Sequence, residues 1–205
     1  EPLVYTQVIL RGSDRLGLQV ISVCAESGHN ASAYELASFS TKGILVTRLT
    51  TLHIEKEAHK FSSAHYTIFS AAERERLHGH NYFVSARIVA KMGNNGFSAD
   101  YNVYKRRIKA LCDRYDEYML LPEFSPFQTL ETVGDEIHAT FAGKVLKFPL
   151  DETRILPIAN VTVEELSHLL LSELLAAEDD PDLVEVELTV SSGSGQAGSA
   201  IWTAS

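Results

Sequence analysis

Two histidines one residue apart, His78 and His80, flank Gly79 in the stretch Leu77-His78-Gly79-His80-Asn81-Tyr82. In an extended strand, residues i and i+2 project from the same face, so both imidazoles can aim at one point. Gly79 carries no side chain toward the opposite face, which leaves room for a close backbone approach. A third imidazole, His65, lies thirteen residues upstream, a spacing that suits two neighbouring strands joined by a loop. Three imidazoles with a fourth position open to water or substrate are the ligand set of a catalytic zinc site. Zn²⁺ is therefore expected on His65, His78 and His80. The remaining histidines, at 29, 53, 59, 138 and 168, show no ligand spacing.

Three acids stand where a proton could be moved. Glu75 is three residues before His78, on the loop leading into the histidine strand, and Asp116 and Glu117 close the first predicted helix. A carboxylate near a dication stays ionised and accepts protons, while an apolar pocket raises its pKa toward neutral. The helix also carries Lys105, Arg106, Arg107 and Lys109, which read as a solvated face before they read as a phosphate cradle.

Placing these groups requires strands and helices in a fixed order. Residues 1–60 are β-rich, with strands expected over 3–10, 16–24 and 44–54, the last continuing toward His65. Residues 69–76 form a loop, 78–90 a strand, and 91–96 a Gly/Asn turn. Tyr104, Ile108, Leu111, Tyr115 and Tyr118 fall on one helical stripe over 101–118, with Asp100 as N-cap. Residues 136–141 and 144–149 flank Ala142-Gly143 as a hairpin. Thr162 and Glu165 form a capping box for a second helix over 162–177. The alternation Val184-Glu185-Val186-Glu187-Leu188 marks a half-buried strand over 183–191, and a short strand closes the chain around 200–203. From about residue 50 the order is ββααββ with a hairpin inserted between the helices. That is an α+β layer, an antiparallel sheet with two helices on one face.

The chain of 205 residues, 45% hydrophobic, has the size of one substantial domain, here read as residues 51–205 with a β-rich extension over 1–50. A net charge of −9 argues against a nucleic-acid partner, whose phosphates need a basic surface. No apolar run is long enough to span a bilayer, and the first residues lack a charged-then-apolar signal pattern. Two cysteines, Cys24 and Cys112, are a poor disulfide framework and fit a cytoplasmic setting.

Taken together, these residues resemble the 6-pyruvoyl-tetrahydropterin synthase and 6-carboxytetrahydropterin synthase family. The matching pieces are Phe61-Ser62-Ser63-Ala64-His65, His78-Gly79-His80-Asn81-Tyr82, Asp100-Tyr101 with Lys105, Tyr115-Asp116, Thr162, and Thr189-Val190-Ser191. The resemblance implies the tunnelling fold, zinc on the three histidines, a reduced pterin as substrate, and a homo-hexamer built as a dimer of trimers. Most members place a catalytic Cys where Arg74 stands. A branch carries Glu at the position of Glu75, and a Leu-Pro-Ile close like Leu156-Pro157-Ile158. That branch is linked to making 6-hydroxymethyl-7,8-dihydropterin from 7,8-dihydroneopterin triphosphate, feeding folate synthesis. The expected activity is thus a zinc-dependent pterin-side-chain lyase. Glu75, Asp116 and Glu117 would be its catalytic residues, with Thr162 and Ser192 on the substrate. Glu117 replaces a family His and Ser192 a family Glu. These departures leave open a non-catalytic zinc-holding homologue, or a binder of a different heterocycle.

Overall fold

A computed structural model describes residues 48–176, 178 and 180–205 of the chain. The strands expected over 3–10 and 16–24, and nearly all of the 1–50 extension, lie outside the described residues. The frame is an α+β layer built on two long strands, β1 (Leu49–His65) and β2 (His78–Lys91), paired antiparallel. β8 (Leu183–Gly193) adds to β2, and β9 (Gln196–Thr203) adds to β8, both antiparallel.

Even-numbered positions of β2 and β8 point inward, because side chains on a strand alternate faces. Tyr82, Val84, Ala86, Ile88, Val186, Leu188 and Val190 are all buried in one cluster. Two helices cover that face. α1 (Tyr101–Tyr115) is capped by the Asp100 carboxylate, which accepts from Asn102 N–H, and it buries Tyr104, Ile108, Leu111, Cys112 and Tyr115. α2 (Val163–Leu175) is capped by Thr162, whose hydroxyl accepts from Glu165 N–H, and it buries Leu166, Leu170, Leu171 and Leu174. Each cap satisfies an amide that the first helical turn leaves without a partner.

The insertion between the helices is larger than a hairpin. The hairpin itself is there, as β5 (Glu136–Phe141) and β6 (Lys144–Pro149), turning at Ala142 and Gly143, both with positive φ. A third strand, β4 (Gln128–Val133), pairs with β5. Two short strands, β3 (Met119–Pro122) and β7 (Thr153–Leu156), run parallel to one another and extend the main sheet beyond β1. The six-stranded sheet is therefore mixed, with β1, β2, β8 and β9 antiparallel and β3 and β7 parallel additions beside β1. A second apolar cluster of Tyr66, Ile68, Met119, Leu121, Ile137, Ala139 and Phe141 joins the inserted sheet to the end of β1.

Two local features set the site's precision. The β1–β2 register shifts between Glu55 and Lys60, a bulge, and then runs without interruption to His65. The close backbone approach expected at Gly79 falls instead at Gly198 on β9. A Cβ at Gly79 would meet Ser63 O at 3.4 Å, whereas one at Gly198 would meet Val163 C and Glu164 N at 2.9 Å. Gly198 lets the first turn of α2 lie directly on the sheet.

Candidate active site

The pairing of β1 with β2 assembles the histidines. His65 is directly opposite His78, and Ser63 is opposite His80. His78 and His80 share a face by the period of two, and cross-strand neighbours on one face lie within side-chain reach. The ring centroids are 4.6 Å apart for His65 and His78, 5.2 Å for His65 and His80, and 4.8 Å for His78 and His80. One nitrogen from each ring lies within 4.8 Å of the others.

Hydrogen bonds select which nitrogens converge. His65 Nδ1 is 2.9 Å from Val161 O, and His78 Nδ1 is 2.8 Å from Arg76 O. A carbonyl only accepts, so each Nδ1 carries the proton and each Nε2 presents a lone pair. This is the outer support that orients imidazole ligands on a metal. His78 Nε2 and His80 Nε2 are 3.0 Å apart, close to the roughly 3.3 Å separating two nitrogens on tetrahedral zinc. His65 Nε2 is buried with no hydrogen-bond partner. Burial, with the charges of His78 and His80 adding to it, lowers the His65 pKa to about 4. The ring is thus neutral at pH 7, the form that ligates. Three converging imidazoles, with His65 neutral and its buried nitrogen in want of a partner, fit Zn²⁺.

Val161 O is itself held in place. Asn160 Oδ1 accepts from Ile68 N–H at 3.1 Å and from Val161 N–H at 3.1 Å, and its amide donates to Ile68 O at 2.8 Å. Asn160 thereby ties the segment before α2 to the chain leaving β1.

Glu75 comes in from the loop. Its Oε2 accepts from Thr67 N–H at 2.9 Å, its own N–H donates to Thr67 O at 2.9 Å, and Oε2 is 4.0 Å from His78 Nε2. Burial pushes its carboxyl up, but the Thr67 hydrogen bonds and the nearby histidines outweigh that and hold it below the ordinary value. Glu75 is an ionised base beside the imidazoles.

A cavity of about 400 Å³ opens on this cluster, lined by His65, Glu75, His80, Tyr82, Thr162 and Ser192, with Glu164 and the turn at Gly195 completing it. Two of its residues were not anticipated. The Tyr82 hydroxyl is buried without a partner, and burial together with the Glu75 carboxylate pushes its pKa up, so it remains a proton-bearing donor. Glu164 sits in the first turn of α2, beside Thr162. It lines the same cavity as Ser192. A two-residue offset from a capping Thr was the available signal for Glu164. For Tyr82 there was none beyond its place in the histidine strand.

Asp116 and Glu117 separate. The Asp116 Oδ1 accepts from Ser62 N–H at 2.7 Å, and neither cavity beside the histidines includes it in its walls. Glu117, with φ of 65°, donates its N–H to Ser62 O at 2.7 Å and lines a second cavity of about 430 Å³ with His80, Asn81 and Gly79. A non-glycine residue in the left-handed region is strained backbone, of the kind that collects at functional corners. Cys112 takes no part: it is buried in the core, and burial pushes its thiol up to about 12.

Residues 53–196 match the protein family described as 6-pyruvoyl tetrahydropterin synthase. A Methanocaldococcus jannaschii protein provisionally named 6-carboxy-5,6,7,8-tetrahydropterin synthase is 26% identical over 141 residues, covering 67% of this chain and 86% of that one. Among solved structures, the 6-pyruvoyl tetrahydropterin synthase of Plasmodium vivax is similar with a TM-score of 0.73 and 26% identity, over 77% of this chain and 99% of that one. Variants of that enzyme in which a catalytic Glu is replaced by Ala or Cys share the likeness. The Plasmodium falciparum enzyme matches with a TM-score of 0.73 and 25% identity, over 76% of this chain and 99% of that one. No helix among the described residues is long and apolar enough to cross a membrane.

Proposed function

Since the chain belongs to the 6-pyruvoyl tetrahydropterin synthase family, we propose that it is a zinc-dependent pterin-side-chain lyase acting on 7,8-dihydroneopterin triphosphate. The product is 6-hydroxymethyl-7,8-dihydropterin, a folate precursor. The observation that carries this reading is the Glu75 carboxylate 4.0 Å from His78 Nε2, on the wall of the histidine cavity. The Plasmodium vivax relative, whose catalytic residue is also a Glu, supports it.

His65, His78 and His80 would hold the zinc, which supplies Lewis-acid polarisation of the substrate's side-chain oxygens and a template for them. Glu75 takes the proton from the hydroxyl on the second side-chain carbon as the bond between the first and second carbons breaks. The aldehyde fragment leaves with the phosphates, and Glu75 returns the proton to the first carbon, a retro-aldol cleavage. Tyr82 donates its unpaired hydroxyl to a side-chain oxygen. Thr162, Ser192 and Glu164 receive the ring, the Glu164 carboxylate pairing with its guanidine-like edge. Asp116 acts as a positioning residue, fixing the end of β1 through Ser62, and Glu117 faces the reaction from the His80 side.

The protein assembles as a homo-hexamer, a dimer of trimers. Support comes from β9, which among the described residues pairs with β8 alone and so presents a sheet edge that a second copy can cover. A cytoplasmic location accords with the reduced pterin chemistry. The test is direct: zinc-loaded protein is incubated with 7,8-dihydroneopterin triphosphate and the pterins are separated by chromatography. Hydroxymethyl-dihydropterin is expected; no turnover by a zinc-replete hexamer defeats the reading.

A further inference from the structure

Glu75 lines a second cavity as well. A space of about 400 Å³ lies between residues 72–77 and the turn of the inserted sheet, lined there by Phe141, Ala142 and Lys144. Arg74, Arg76 and Lys144 all line it. Arg74 is fixed: its Nη1 donates to Glu75 O at 2.7 Å, and its guanidinium stacks 4.5 Å from the Tyr66 ring centroid and 5.8 Å from that of Phe141. Arg76 and Lys144 are exposed, and among the described residues neither forms an ion pair. Glu73 and Glu75 are the acids on the same walls, and the Glu75 Oε2 is turned to Thr67 N–H.

We infer that this cavity is an anion subsite in which Arg76 and Lys144 grip the polyphosphate tail of the substrate, with the stacked Arg74 as its fixed floor. A guanidinium fork and a mobile ammonium converging from two separate elements suit an anion with several charged oxygens. Because Glu75 is a wall of both cavities, one elongated ligand can put its reacting carbons at the histidines and its anionic end here. The base then stands at the junction. This assigns a role to the inserted β4–β6 sheet: it brings Lys144 to the loop and makes phosphorylation of the side chain a requirement for tight binding. The inference rests on the phosphorylated-pterin reading and names the residues that select the phosphates.

Zinc-loaded protein is titrated calorimetrically with inorganic tripolyphosphate, as wild type and as Arg76→Ala, Lys144→Ala and the double variant, with thermal melts to confirm folding. Binding of one tripolyphosphate per chain is expected, weakening with salt, and at least about tenfold weaker in the double variant. Glu73→Gln should tighten it. A parallel titration uses 7,8-dihydroneopterin and its triphosphate. Wild type should favour the triphosphate about tenfold or more, and the double variant should lose that preference with its zinc content unchanged. Tripolyphosphate affinity that is the same in the folded double variant, or a preference that survives in it, overturns the subsite. Tripolyphosphate binding that depends on Arg76 and Lys144 in a protein that ignores both pterins keeps the subsite and removes the pterin reading.

Discussion

The Oε2 of Glu75 accepts a hydrogen bond from Thr67 N–H and lies 4.0 Å from Nε2 of His78. The carboxylate is thus fixed by backbone on one side and faces the imidazoles on the other. Glu75→Gln keeps the shape and loses the base. Turnover of 7,8-dihydroneopterin triphosphate should fall by about 10²–10⁴, with one zinc per chain still found by elemental analysis. A drop in zinc content equal to the drop in rate would show that Glu75 serves the metal and not the proton.

The Asn160 side chain braces the Val161 carbonyl that orients His65. Asn160→Ala should weaken zinc binding by roughly tenfold to a hundredfold, read by competition with a chromophoric chelator. His65→Ala should abolish stoichiometric binding altogether. If Asn160→Ala lowers the melting temperature of the metal-free protein yet leaves zinc affinity intact, the brace is structural only.

Tyr82 offers a contrast between stability and rate. Its hydroxyl is buried without a partner, and an unpaired buried hydroxyl costs about 1–3 kcal/mol. Tyr82→Phe should therefore leave the metal-free protein as stable as wild type, or more stable by about 1 kcal/mol, while kcat falls. Equal losses in denaturation midpoint and in kcat would refute a role toward the ligand.

Acid should destabilise the metal-free protein through His65. Its folded pKa of about 4 lies below the unfolded value of 6.5, so the unfolded chain binds more protons between them. The associated stability is fully present above pH 6.5 and is lost as pH falls toward 4, on the order of 2–3 kcal/mol. Urea denaturation across that range measures it, and the slope should become shallower in His65→Gln, with the buried His59, whose pKa burial also lowers, supplying part of what remains. Zinc, by holding the ring neutral, should shift the loss to lower pH.

The long elements were readable because their periods are long. Fourteen residues of β2 and the stripe of α1 repeat often enough to declare themselves, and Ala142-Gly143 between two alternating runs marks its hairpin. Met119–Pro122 and Thr153–Leu156 are four residues each, too short to show any period, and a parallel pairing across the intervening chain leaves no local trace. The same holds at the site. His65, His78 and His80 could be found by spacing, since one strand pair brings them together. The carbonyl that orients His65 is 96 residues away, and only the packed fold makes them neighbours. Likewise, the Asp116 carboxylate meets Ser62 N–H, 54 residues away in sequence, only through the turn after α1.

The bulge in β1 divides that strand into two frames. From Lys60 to His65 the pairing with β2 is unbroken, and a slip of one residue there would turn His65 away from His78. Upstream, Leu49 to Glu55 pairs in a frame of its own. A residue gained or lost among the exposed positions 56–58 can be taken up by the bulge, where the register already shifts, without reaching the ligands. Sequence change ahead of Lys60 is thereby insulated from the chemistry, and whatever chain precedes β1 can vary in length while the histidine frame stays still.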